Sequence, residues 1–254
     1  MSELNLSEVQ KYAEKHIAEF HKQRLESVSQ KINFNKLLEQ KNPYLFKAKN
    51  ILTAHDLVKG FVDAFLQSQE ETLFGFFLEG LAIFVCDQVF GAEKLEKGTG
   101  MGFMFEKNGV IYVVECKAGW NWGNSSQIKQ LKLNAKNIKR KLEKTTKKKV
   151  IVVNGCCFGK KKNSNPEKDG YYKMCGQEFW YLISNDDELF IKIIEPIGHN
   201  AKQKNEDFDI AYSALINKFT VEFAKKFCDK GVICWKKLLE FNSGEKIKNK
   251  VQIQ

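Results

Sequence analysis

In Val110-Ile-Tyr-Val-Val-Glu115-Cys116-Lys117 five apolar residues lead into an acid, a thiol and an amine. On a β-strand successive side chains point to opposite faces, so Glu115 and Lys117 share one face and Cys116 takes the other. A carboxylate and an ammonium ion then stand side by side, with the Cys116 backbone carbonyl between them. Such a set can hold a hard divalent cation through carboxylate and carbonyl oxygens. It also places a positive group near an attacking water or near the charge that develops on phosphorus. Phosphodiester hydrolysis is the chemistry that needs these parts together. A bare Glu-x-Lys triplet also arises as a solvated ion pair on a lysine-rich surface, so the elements that carry the triplet must decide between the two.

Those elements can be read from periodicity. Asn108-Gly109 is the strongest short hairpin signal, and it separates two alternating stretches, Met101 to Phe105 and Val110 to Cys116. A two-residue turn pairs position 107 with 110, and counting outward places Gly102 opposite Glu115 on one face. Upstream, Ser7 to about Ile32 reads as a weakly amphipathic, lysine-rich helix, an N-terminal arm over residues 1–41. Thr53-Ala-His-Asp56 reads as a helix cap with an acid at the third helical position, opening a helix on Leu57, Val58, Phe61, Val62 and Phe65. A second helix is expected from about Glu70 to Val85.

Downstream, Ile128, Leu131, Ala135, Ile138 and Leu142 recur at helical spacing between Ser125 and Lys144. Lys129, Lys132, Lys136, Lys139 and Arg140 lie away from that stripe. Lys149 to Val153 reads as a buried strand, and Phe179 to Ile183 and Leu189 to Ile194 as two more. A closing helix is expected from Phe208 to Phe227, and a loose tail over 246–254. The order predicts an α/β (α+β) core, a central mixed sheet flanked by helices.

Composition sets the class. In 254 residues with 43% hydrophobic side chains and three prolines, a substantial core can form. Lys and Arg total 41 against 31 Asp and Glu, a formal +10 that favours polyanionic partners. The excess clusters at Lys129 to Lys149 and Lys160 to Lys162. Seven cysteines without C-x-x-C spacing argue against a disulfide framework or zinc finger and for a reducing cytoplasm. The run Leu81 to Val85 is too short to span a bilayer, and no membrane partner is expected. Four scattered histidines show no metal-ligand spacing.

Further candidates cluster after the triplet. Asn121, Asn124, Ser125, Ser126 and Gln127 form a polar group at a helix start, where they can cap the helix or reach a phosphate backbone. Trp120 and Trp122 read first as aromatic packing of a loop, with contact to sugar or base as the alternative. Lys129 and Lys132 are expected to neutralise phosphates. Asn154 and Lys160, at a strand end beside the triplet, are expected on DNA as well.

The strand pair ending in Glu-x-Lys resembles the PD-(D/E)XK nuclease superfamily. More narrowly, NPYLF (Asn42 to Phe46), FLEGLAIFV (Phe77 to Val85), ECKAGWNWGNSSQIKQL (Glu115 to Leu131), VNGCCFGK (Val153 to Lys160) and FWYLIS with IIEPIGHNAK (Phe179 to Lys202) resemble type II restriction endonucleases. The resemblance spans about Asn42 to Phe227 and implies a nuclease domain over 42–245. It further implies sequence-specific cleavage of double-stranded DNA with Mg2+, for which Mn2+ can substitute, by a homodimer. A cognate DNA methyltransferase would be a functional partner in a prokaryotic cytoplasm. Glu115 and the Cys116 carbonyl would bind the metal, Lys117 would orient or deprotonate water, and Gln127 would stand beside the site.

One position departs from the superfamily pattern. Where the first strand carries a metal-binding aspartate, GTGMGFMF has Gly102. An introduced inactivating change, an acid recruited from elsewhere and a decayed enzyme are three origins for it. Glu79, Asp87 and Glu106 are the candidates for compensation, and Glu79 has a core salt bridge, for instance to Lys117, as its other reading. Two other functions stay open: a nuclease-like module that binds DNA without cutting it, and a junction or repair nuclease of the same superfamily.

Overall fold

The computed structural model describes residues 2–160 and 166–244; Lys161 and Lys162 of the expected basic loop and the expected tail from Lys246 to Gln254 lie outside them. The chain opens with α1 (Leu6–Glu26), which ends in a π-helical turn, Ser27–Lys31. Then come α2 (Phe34–Gln40) and α3 (Pro43–Ala48). Asn33 and Asn42 cap the last two through their side-chain oxygens.

Next is α4 (Ala54–Phe90), one helix of 37 residues where two were expected. Its start is as read from the sequence, since the Thr53 hydroxyl oxygen accepts from the Asp56 backbone N–H at 3.0 Å. The polar stretch Gln67 to Glu71, where a break was expected, contains neither proline nor glycine, and nothing in it opposes a helix.

After α4 the chain forms a sheet. Strand β2 (Phe103–Lys107) lies antiparallel between β1 (Glu93–Lys94) and β3 (Val110–Gly119). Helix α5 (Ser125–Glu143) then crosses over to β4 (Lys149–Phe158), which runs parallel to β3. A short α6 (Pro166–Asp169) leads to β5 (Tyr172–Cys175), parallel to β4. The five strands thus make a mixed sheet in the order β1-β2-β3-β4-β5. Asn108 and Gly109 both have positive φ, 52° and 74°, as a two-residue turn with the strands' own twist requires.

The two strands expected after β4 are helices instead. Phe179 to Ile183 lies in α7 (Gln177–Ser184), and Leu189 to Ile194 is divided between α8 (Leu189–Lys192) and α9 (Ile194–Ile197). A strand would turn Phe179, Tyr181 and Ile183 to one face, yet Tyr181 is 49% exposed while its neighbours on both sides are buried. Helical spacing buries Phe179, Trp180, Leu182 and Ile183 together. The strand that does follow β4 is the four-residue β5. The chain ends with α10 (Ala201–Phe227), the two-stranded β6 (Cys228–Asp229) and β7 (Val232–Ile233), and α11 (Trp235–Ser243).

The chain divides into two compact units, residues 1–20 with 72–199, and 21–71 with 200–254. The first holds the whole five-stranded sheet. Phe103, Phe105, Val114, Cys116, Val153 and Cys157 on one sheet face pack with Phe77, Leu81 and Val85 of α4, Val9, Ala13 and Ile17 of α1, and Trp180 and Ile183 of α7. On the other face Val113, Val150 and Val152 meet Leu131, Ala135 and Ile138 of α5. Residues 6–20, expected as part of an arm, therefore supply core side chains. The second unit is helical and closes around Leu57, Phe61, Val62, Phe219, Phe223 and Leu238. By length and composition α4 could cross a membrane, but its apolar side chains are the ones that build these cores.

Candidate active site

The hairpin register sets the site. The ladder's last pair is Phe103 with Val114, and just beyond it the Gly102 N–H donates to the Val114 carbonyl at 2.9 Å. A Cβ on Gly102 would stand 3.9 Å from Glu115 Oε2, so Gly102 lies beside Glu115, where the sequence count placed it. Because the Val114 carbonyl points toward β2, the Cys116 carbonyl two residues on points the same way. β2 no longer runs opposite it there. That oxygen is left at the open end of the hairpin, beside the face that carries Glu115 and Lys117.

On that face the Lys117 Nζ donates to the Glu115 Oε1 at 2.6 Å. Both side chains are partly buried, with 33% of Lys117 and 19% of Glu115 exposed, so this is not a freely solvated surface pair. The ammonium also stands 5.1 Å from the centre of the Trp122 ring, a cation–π distance. Cys116 faces away into the core, with its Sγ 3.6 Å from that of Cys157. That contact, with burial, raises the Cys116 thiol well above its ordinary range, so it has no thiolate chemistry to offer.

Glu79 reaches the same place from α4. A Cβ built on Gly102 would lie 3.6 Å from Glu79 Oε1, 3.9 Å from Glu115 Oε2 and 3.3 Å from the Val114 carbonyl. Two carboxylates from different elements thus converge on the space an aspartate side chain at 102 would enter. Glu79 makes no hydrogen bond or ion pair with any described residue. The expected salt bridge to Lys117 is not formed, since that ammonium is bound to Glu115. Burial first, and the Glu115 charge second, push the Glu79 carboxyl above its ordinary value, against the pull of Lys117 and Lys94. The other two compensating acids are elsewhere: Glu106 pairs with Lys148 at the far end of the hairpin, and Asp87 is exposed two turns further along α4.

The residues expected on DNA divide into three groups. Asn124 and Gln127 form a capping box at the start of α5. The Asn124 Oδ1 accepts from the Ser126 and Gln127 N–H groups, both at 3.1 Å, and the Gln127 Oε1 accepts from the Asn124 N–H at 2.9 Å. Asn121, Ser125, Ser126, Lys129 and Lys160 are exposed, while Lys132 is tied to Asp169 at 2.8 Å. Asn154 departs from expectation, while Trp122 takes the packing role read first for it. Asn154 is fully buried and hydrogen-bonded to Trp122, so it cannot touch a duplex from where it stands.

The cationic side of α5 is as the sequence implied. Lys132, Lys136, Lys139 and Arg140 line, with Lys149, a cavity of about 580 Å3 between α5 and the β4 to β5 edge. Sequence reasoning missed Lys173 on β5, which donates to the Trp120 carbonyl, and Lys94 on β1, whose charge reaches Glu79. Both escaped because neither β1 nor β5 is long enough to show alternation.

A family model for the type II restriction endonuclease EcoO109I matches residues 7–205. The chain belongs to that family. The match includes α1 and runs through the whole sheet to the start of α10, so it covers both the Glu115 site and Glu79. No curated protein matches the chain. A member of the EcoO109I family is a nuclease and hydrolase of the restriction class, and the mixed sheet flanked by helices agrees with a restriction-endonuclease-like fold.

Proposed function

We propose that this EcoO109I-family chain is a site-specific endonuclease that hydrolyses phosphodiester bonds in double-stranded DNA with Mg2+, or Mn2+ in its place. The convergence of Glu79 and Glu115 on the position of Gly102 carries the reading. The donor set suits a hard divalent cation: two carboxylates, one of them without a partner, and the Cys116 carbonyl beyond the end of β2. Glu79 brings a second carboxylate from α4 to the edge of the place where the superfamily has an aspartate, and it compensates in part for the acid missing at 102. A cation held by Glu79, Glu115 and the Cys116 carbonyl would act as a Lewis acid toward the scissile phosphate.

The chain's own residues do the rest. Glu115 holds the Lys117 ammonium by its Oε1, and Lys117 presents positive charge where an attacking water and a phosphoryl oxygen meet. Exposed Asn121, Ser125 and Ser126, with Lys129 and its neighbours on α5, face the DNA backbone. Two such chains form a homodimer, each subunit cutting one strand, in a prokaryotic cytoplasm where a DNA methyltransferase protects the host.

Gly102→Asp is the test. Gly102 has no positive φ, so its backbone accepts a side chain. The Cβ at 3.3 Å from the Val114 carbonyl needs only a small adjustment. The expected result is Mg2+-dependent cleavage of supercoiled plasmid raised by roughly two orders of magnitude, with uniform fragment ends. No gain would remove the assignment of 102 to the missing aspartate. Gly102 itself favours one other reading, a nuclease-like fold that binds DNA without cutting. Binding without cleavage in both Mg2+ and Mn2+, by the chain and its Gly102→Asp form alike, would establish it.

A further inference from the structure

Asn154 is a polar side chain with no exposure at all, set in β4 directly beside Glu115 of β3. Beside a long contact at 3.9 Å from the Cys156 thiol to its Oδ1, its carboxamide meets two groups of opposite need. The Trp122 Nε1–H, which can only donate, reaches its Oδ1 at 2.9 Å. The Glu115 carbonyl, which can only accept, takes a hydrogen bond from its Nδ2 at 3.2 Å. A carboxylate could not donate to the second, and an aliphatic side chain could serve neither. In a buried setting each unmade bond leaves a desolvated polar group, so the three partners hold one another in place.

The bridge has a consequence at the site. Held by Asn154, the Trp122 ring lies 5.1 Å from the Lys117 ammonium, which in turn is 2.6 Å from the Glu115 carboxylate. The contacts close into a ring: Glu115 backbone, Asn154, Trp122, Lys117, Glu115 side chain. We infer that Asn154 is a positioning residue that fixes Lys117 and Glu115 relative to each other through Trp122. The inference rests on the nuclease reading and assigns Asn154 a role other than DNA contact.

The test uses Asn154→Asp, which keeps shape and the acceptor but loses the donor, and Trp122→Phe, which keeps a ring but loses the N–H. Both are made in the full chain and in its Gly102→Asp form. For each, kcat and KM on duplex DNA are measured, with affinity in Ca2+ and the thermal midpoint. The expected result is a kcat lowered about 10- to 100-fold in each single variant, with KM and duplex affinity changed less than about threefold. The double variant should be no slower than the slower single one, because both changes break the same ring. The Trp122 indole N–H resonance, identified by its loss in Trp122→Phe, should shift in Asn154→Asp. Unchanged kcat, or kcat losses that multiply in the double variant, would overturn the inference while leaving the nuclease reading intact. Failure of both parent chains to cut DNA would overturn the nuclease reading and this inference with it.

Discussion

Glu79 combines a cost and a use. A half-buried carboxylate beside another carboxylate, with no hydrogen-bond partner among the described residues, destabilises the folded chain unless a cation joins it. Its raised value in the folded state means that the native chain binds the proton more tightly than the unfolded one. Stability contributed at this residue is therefore full at acid pH and falls as pH rises from the unfolded carboxylate value through the folded one. Glu79→Gln should then melt higher than the parent at neutral pH in EDTA, with the difference vanishing toward pH 4, about the unfolded carboxylate value. It should also lose the stabilisation that Mg2+ or Mn2+ gives the parent. A lower melting point for Glu79→Gln at neutral pH would show that the acid is a structural partner instead. The acid's proximity to Gly102 was only one of three options in sequence, because which helix face meets the hairpin is a tertiary fact.

At the scale of elements, α5 is a helix with two duties, Leu131, Ala135 and Ile138 packed on the sheet and a row of cations outside. If that row neutralises phosphates, Lys129→Gln, Lys136→Gln and Arg140→Gln should weaken duplex binding for all sequences alike. Every phosphate no longer neutralised should flatten the slope of log affinity against log salt by about 0.9. A slope unchanged in the triple variant would make the face a solvated surface and nothing more. The elements legible in sequence are those whose signal is local. Asn108-Gly109 specifies a turn and hence a register, Thr53 and Asn124 cap their helices, and α5 repeats its apolar residues from Ile128 to Leu142, about four turns. The region from Phe179 to Ile194 misleads because a short aromatic and β-branched run fits a buried strand and a buried helix equally well. Only Tyr181, exposed between buried neighbours, tells the two apart, and exposure is not written in the sequence. Asn154 misleads for a related reason: the sequence pattern ends the strand at Val153, whereas β4 runs on to Phe158 and holds Asn154 inside it, bonded to Trp122.

For the molecule as a whole, a nuclease that cuts both strands of a short site needs two active sites. The chain is expected to sediment at twice its monomer mass with duplex DNA and to cut supercoiled plasmid to linear form without a long-lived nicked stage. A monomer that nicks one strand and departs would rule out the dimer. Neither of the two compact units is a continuous stretch of sequence, since residues 1–20 belong with 72–199. Trimming the chain back to Asn42, which would spare an unattached leader, would instead strip Val9, Ala13 and Ile17 from around Leu81 and Val85. Anyone shortening this protein for expression, or splicing it to another module, should therefore leave the first helix intact and attach new sequence ahead of it.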